Sequence, residues 1–178
     1  MATEIEYKFT INKKIFMEEE EEKFKVLRSR QGYFTVKEDS VSSCRIALLD
    51  HYYPKKWSDA VFNIKGKRVG ASRTEVETKL PYEEGEQLFN MTVDRVEKVR
   101  YKVPAVVKGF SGLFWEVDIY EGANYPLAVA ELEVPTERAT KFEVPQWIVK
   151  DVTEDDRYYN ANLAKNPYEK WRKAKWTL

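Results

Sequence analysis

The sequence predicts a mainly β, α+β fold, a barrel or strongly curved antiparallel sheet with short peripheral helices and a helical C-terminal segment. Stretches in which charge and bulk alternate strictly recur along the chain, and Pro and Gly punctuate them at short intervals. Helix-type signals are confined to brief insertions and to the region beyond Pro135. At 178 residues and 21.0 kDa the chain reads as one domain, 1–178, long enough for a sizeable core. Apolar content of 43%, with 14% aromatic residues, argues for a folded globule rather than disorder.

The first strand is "EIEYKF", with Glu4, Glu6 and Lys8 on one face and Ile5, Tyr7 and Phe9 on the other. "MEEEEEKFKVLRSRQG" (17–32) reads as a helix carrying Met17, Phe24 and Leu27 in a polar background and ending at Gly32. Glu18 to Glu22 point around the whole circumference of such a helix, so they form a solvated run rather than a metal cluster. "GYFTVKED" follows as a short strand and turn, and then comes "SCRIALLD". "HYYPKKWSDA" is loop-like, with Pro54 and Asp59 as punctuation. "AVFNIKGK" and "SRTEVETKLP" are strands, the second stopped by Pro81, and Tyr82 to Asn90 is a short helix. "VEKVRYKVP" and "GLFWEVDIYEG" are strands separated by a turn around Gly109 and Gly112, and "LAVAELEVP" is the last strong strand. "VTEDDRYYNANLAK" reads as helical, with Thr153 as N-cap and Asp156 three residues on. Pro167 opens a further short helix through "YEKWRKAKW".

Thirty basic and thirty acidic residues cancel, so no global field draws the chain to nucleic acid or to a membrane. No apolar stretch approaches the ~20 residues of a membrane span, and the N-terminus lacks a signal-peptide pattern. The expectation is a reduced, cytoplasmic protein. One cysteine, Cys44, excludes an intramolecular disulfide framework and a cysteine-based zinc site, and it reads as a small wall residue. The lone histidine, His51, falls in the loop-like stretch and is given no catalytic role.

The charges are not scattered. Arg73, Glu75, Glu77 and Lys79 share a strand face, as do Lys98, Arg100 and Lys102, Glu116 and Asp118, and Glu131 and Glu133. Lys65 is central in "FNIKG" and Arg45 in "CRIAL". Charged faces of a sheet ordinarily point to water. Here acids and bases are segregated by strand, and neighbouring carboxylates on one face repel unless a cation relieves them. Clustered bases beside clustered carboxylates are what a phosphate chain with a divalent cation requires.

These stretches resemble, in order and spacing, the CYTH domain or triphosphate tunnel metalloenzyme superfamily. "EIEYK" matches its ExExK signature, followed by "QGYF", "FNIKG", "SRTEVE", "EKVRY", "WEVDIY" and "AELEVP", and "DVTEDDRYYNANLA" resembles the tail of its bacterial members. The resemblance implies a closed antiparallel barrel of about eight strands around a polar tunnel, with the charged faces inward. It implies Mg²⁺ or Mn²⁺ held by Glu4, Glu6, Asp118, Glu131 and Glu133 with Glu75 or Glu77. It also implies a triphosphate gripped by Lys8, Arg45, Lys65, Arg73, Lys98 and Arg100. Glu4, Glu6 and Lys98 are the candidate catalytic groups, Lys98 acting on a leaving group or water with Tyr33 as a neighbour. One departure stands out: the family's Arg-x-Arg is Arg45 and Ala47 here, which removes a bidentate phosphate contact. Lys55, Lys56 or Lys67 are candidates to compensate.

The superfamily includes inorganic triphosphatases, thiamine triphosphatases, a class of adenylate cyclases and RNA triphosphatases, and fold alone does not choose among them. The tail and "QGYF" segments favour metal-dependent hydrolysis of inorganic tripolyphosphate. A cyclase or thiamine triphosphatase is the same-fold alternative, and a non-catalytic polyphosphate binder is the alternative of another class. The implied partner is a small-molecule triphosphate. Spare apolar outer surface leaves a homodimer open.

Overall fold

The computed structural model describes residues 5–20, 24–36, 41–52, 58–67, 74–136, 139 and 141–172. Nine strands form one sheet: β1 (Ile5–Ile11), β2 (Lys25–Tyr33), β3 (Val41–His51), β4 (Ser58–Gly66), β5 (Glu75–Leu80), β6 (Asp94–Pro104), β7 (Phe114–Tyr120), β8 (Ala128–Val134) and β9 (Ile148–Asp151). Their order is β5-β4-β3-β2-β6-β7-β8-β1-β9, and every pairing is antiparallel. Three α-helices lie among the described residues, α1 (Lys13–Glu20), α2 (Tyr82–Asn90) and α3 (Asn160–Lys165).

Of the expected closed barrel of about eight strands, the structure shows one antiparallel sheet. Among the described residues no hydrogen-bonded ladder joins β5 to β9. The physical reason lies on β1, whose outer edge is already occupied. β9 pairs with Phe9, Thr10 and Ile11. Just before them, the Lys8 amide donates to Thr153 Oγ1 at 3.0 Å, and the Lys8 carbonyl accepts from the Val152 amide at 2.8 Å. A strand arriving from β5 finds these groups satisfied.

The sheet is nonetheless deeply curled. From Lys65 on β4 to Glu6 on β1 the ladder passes β3, β2, β6, β7 and β8, about 29 Å if flat at ~4.8 Å per strand. Yet the Glu6 carboxyl feels the Lys65 charge, and Tyr33 on β2 feels both Glu131 on β8 and Lys8 on β1. Contacts agree: Arg100 of β6 reaches Glu131 of β8 across β7 at 3.3 Å, and Tyr33 of β2 shares one apolar cluster with Val129 of β8, so the sheet rolls into a trough.

The two faces of the trough differ in chemistry. On the convex side Phe9, Tyr101, Val103, Trp115, Val117 and Leu132 pack against Phe16 of α1 and Trp147. Ile46, Leu48 and Ala60 pack against Phe89 of α2. The concave side carries the charged alternates. One end of it is sealed by an apolar plug, in which Tyr33, Val96, Tyr120 and Val129 meet Tyr158, Leu163 and Ala164 of the C-terminal segment.

Residues 17–32 are not one helix. α1 ends at Glu20, Glu21 and Glu22 fall outside the described residues, and β2 follows from Lys25. β2 is paired on both sides, to β3 and β6, and its trough-facing Ser29, Gln31 and Tyr33 form hydrogen bonds with one another. Two ladders therefore override a polar, helix-like sequence. Gly32 is no helix stop, because a Cβ there would meet Thr92 Oγ1 at 2.1 Å. The strand β3 also extends through His51, which is not in a loop. Thr153 does not cap a helix but ties down β1, and Asp155 caps the 3-10 turn Asp156–Tyr158 by accepting from the Arg157 amide.

Gly85 shows how closely α2 sits on the sheet. A Cβ there would come 2.1 Å from Ala60 Cβ and 3.2 Å from Leu48 Cδ2. Alanine is intrinsically the better helix former by about 1 kcal/mol, but an overpacked contact costs roughly 1–3 kcal/mol. Gly85→Ala is expected to lower the melting temperature by several degrees, and a rise would show that α2 is not pressed onto β4.

Candidate active site

The concave face is built from cross-strand register. Arg100 of β6 lies opposite Asp118 of β7, Lys8 of β1 opposite Glu131 of β8, and Lys65 of β4 opposite Glu75 of β5. Directly opposed side chains share a face, so the acids and bases of neighbouring strands interdigitate into a lattice of ion pairs.

At its centre Asp118 is fully buried. Arg100 donates to both of its oxygens, Nε to Oδ1 at 2.7 Å and Nη2 to Oδ2 at 2.7 Å, and Lys98 Nζ bonds Oδ2 as well. Arg100 also reaches Glu116 through Nη1 and Glu131 at 3.3 Å. Burial alone would raise the Asp118 pKa, but Arg100 and then Lys98 outweigh it and hold the carboxyl at about 2. Lys98, 1% exposed, has its pKa lowered by burial and by the neighbouring Arg100.

A second cluster forms on β1 and β8. Lys8 Nζ lies 2.8 Å from Glu131 and 3.1 Å from Glu6, with the Tyr159 ring 4.4 Å away. Burial works against the ammonium, yet Glu131 and Glu6 raise its pKa. Glu6 differs from the other acids. Its side chain remains 42% exposed to the trough, and its pKa is raised by desolvation and by the charge of Glu131, against Lys8 and Lys65.

The third cluster is on β4 and β5. Lys65 Nζ sits 3.2 Å from Glu75, and Asn63 Nδ2 donates to Glu75 at 2.7 Å and to Glu77 at 3.3 Å. Between the clusters the Tyr33 hydroxyl donates to Gln31 Oε1 at 3.0 Å, and Gln31 Nε2 donates to Ser29 Oγ at 3.3 Å. Burial pushes Tyr33 up to about 12, against the pull of Arg45 beside it.

The sequence-predicted residues thus share one face but not one point. Glu4 and Arg73 lie outside the described residues, as do Lys55 and Lys56. Lys8, Arg45, Lys65, Lys98, Arg100 and Tyr33 are on the trough wall with Glu6, Glu75, Glu77, Asp118, Glu131 and Glu133. Among the described residues no three acids are gathered at coordination distance. Asp118 serves here as a counter-ion to Lys98 and Arg100. Ala47 faces Gln31 across the β2–β3 ladder, so an amide stands beside the position of the missing guanidinium.

The carboxylate oxygens suit a hard divalent cation. The raised Glu6 carboxyl, crowded by Glu131, is the kind of repulsion that such an ion relieves. Sequence reasoning passed over Asn63, although it lies two residues before Lys65 and therefore shares its strand face. It also passed over Tyr159, for which no periodic signal existed.

The buried triad of Asp118, Lys98 and Arg100 should govern acid stability. A carboxyl with a depressed folded-state pKa stabilises above its unfolded value of ~3.9. That contribution disappears as pH falls towards about 2. Glu6, being raised, works in the opposite sense near its ordinary range. Asp118→Asn, which strands two buried cations, is expected to lower urea stability by ~3–5 kcal/mol and to flatten the loss of stability between pH 4 and 2. An unchanged acid limb would overturn the assignment.

No protein-family profile matches the chain. It is 34% identical over 174 residues to the inorganic triphosphatase of Acetivibrio thermocellus, covering 97% of this chain and 99% of that one. It is also 34% identical over 139 residues to the inorganic triphosphatase of Nitrosomonas europaea, covering 76% of this chain and 82% of that one. The crystal structure of the inorganic triphosphatase NE1496 superposes with a TM-score of 0.62 at 30% identity, over 92% of this chain and 95% of that chain. With relatives this similar along nearly its whole length, and a concave lattice of paired acids and bases, the chain belongs to the CYTH, or triphosphate tunnel metalloenzyme, superfamily.

Proposed function

We propose that the protein is a hydrolase that cleaves a phosphoanhydride bond of a triphosphate, inorganic tripolyphosphate first among the candidates, with Mg²⁺ or Mn²⁺. The observation that carries this reading is the ion-pair lattice on the concave face. Lys8, Lys65 and Arg100, three of the bases suited to grip phosphate, are each held against an acid suited to a divalent cation. Relatives named inorganic triphosphatase support the choice of substrate.

Binding is then an exchange of partners. Lys8, Lys65 and Arg100 transfer from carboxylates to phosphate oxygens, and Arg45 and Arg73 join them there, offsetting charge that spreads over those oxygens in the transition state. Glu6, Glu131 and Glu133, with Glu4 and the β5 acids Glu75 and Glu77, would hold the cation, which when bound would supply Lewis-acid polarisation of the phosphate. Glu6, whose side chain opens to the trough, is placed to accept the proton of the attacking water. Lys98 places its positive charge near the leaving phosphate. A tunnel closed around the substrate, the finer form of this fold, belongs to the same proposal, as does a place in the cytoplasm.

Phosphate release from tripolyphosphate, thiamine triphosphate and ATP, together with cyclic AMP formation, tests the reading. Tripolyphosphate is expected to have the highest kcat/KM, with turnover abolished by chelator and restored by Mg²⁺ or Mn²⁺. Binding without turnover by folded, metal-loaded protein would sink it in favour of a polyanion-binding domain. Glu6→Gln should lower kcat by roughly 10²–10⁴-fold with the fold intact by circular dichroism. Near-wild-type turnover would remove Glu6 from the mechanism.

A further inference from the structure

Asn63 sits on β4 directly opposite Glu77 and one inward-facing position from Lys65. It is fully buried, an uncommon place for an amide. Its Nδ2 is shared between two carboxylates, Glu75 at 2.7 Å and Glu77 at 3.3 Å. Its Oδ1 is buried and has no hydrogen-bond partner. The orientation of the amide is settled by charge, since the reverse flip would set the carbonyl oxygen against two anions.

An orphaned buried acceptor calls for an explanation, and the shared donor supplies one. Glu75 and Glu77 are two apart on the same face of an edge strand, where like charges push each other away. Lys65 neutralises Glu75. An amide at position 63, with two hydrogens on one nitrogen, reaches both acids together without adding a charge. The unpaired carbonyl is the consequence of turning that nitrogen towards them.

We propose that Asn63 is a positioning residue that clamps Glu75 and Glu77 as a ready pair for the divalent cation. The proposal rests on the triphosphatase reading given above and goes beyond it by naming a residue that touches neither metal nor phosphate. Groups that orient ligating carboxylates typically govern metal affinity by ~10–100-fold.

Mn²⁺ titration of the substrate-free protein, followed by the loss of the free-ion electron paramagnetic resonance signal, tests this alongside thermal melting. Asn63→Leu keeps the branched shape at slightly greater bulk and removes both the donors and the orphaned carbonyl. It is expected to weaken Mn²⁺ binding ~10–100-fold while the melting temperature stays level or rises. Asn63→Thr, with a single hydroxyl donor, should fall between the two. A merely structural asparagine would instead lower melting temperature and affinity together, and that result overturns the clamp. Glu77→Gln separates the clamp from the reading beneath it. If Glu77→Gln weakens Mn²⁺ binding and Asn63→Leu does not, the clamp fails and the triphosphatase reading stands. If both bind Mn²⁺ as wild type does while tripolyphosphate is still hydrolysed, the cation lies elsewhere and the clamp fails with it.

Discussion

Charged side chains on the inside of a curled sheet tolerate removal from bulk water only when each finds an opposite charge at hydrogen-bond distance, and this requirement organises the protein. Lys98, Asp118 and Lys8 are almost entirely buried, and each is paired. Apart from Lys8 with Glu6 on β1, these pairs run between strands. Their formation therefore depends on the register that places Arg100 opposite Asp118 and Lys8 opposite Glu131. A slip of one residue would turn every one of these groups to the convex face and drive Trp115, Val117 and Leu132 into the trough. Charge pairing inside and apolar packing outside thus select the same register. Each supports what the other needs.

The same pairing explains how one surface can serve a cation and a polyanion. In the ligand-free protein the acids and bases neutralise one another, and the trough is held open by partners that a ligand can replace. The replaceable contacts differ in depth. Glu6 is half-open to solvent, while Asp118 lies at the base with both oxygens occupied. Exchange that begins at the more exposed β1 wall and reaches the buried triad last leaves no stage at which a buried charge stands alone.

Much of this was legible in the sequence. The alternation in "FWEVDIY" and "LAVAELEV" marked β7 and β8, and Pro81 marked the start of α2. The membership of the charged face also followed, because a period of two assigns Glu116 and Asp118, or Lys98 and Arg100, to one side. Which acid meets which base did not follow, since that depends on a strand order in which β2 lies beside β6. β2 itself was hidden because its inward residues, Ser29 and Gln31, are polar, so a strand saturated by two neighbours lacks the apolar rhythm of one. β9 has four residues and three of them are exposed, too little for a pattern. Asn63 was passed over because an uncharged amide does not stand out among charges, although its spacing from Lys65 placed it correctly.

The small tie at Thr153 has a consequence beyond the geometry of the trough. An open sheet has two rims, and each bare rim can recruit a strand from another molecule. On the β1 side the hydroxyl of Thr153, the amide of Val152 and the short β9 fill the bonding positions from Lys8 onward. On the opposite side β5 carries Glu75, Glu77 and Lys79, whose charges discourage a neighbour from docking flat along it. Both rims of the ladder seen among the described residues therefore carry features that disfavour edge-to-edge strand pairing. The residue that fastens the first strand thus also covers its edge.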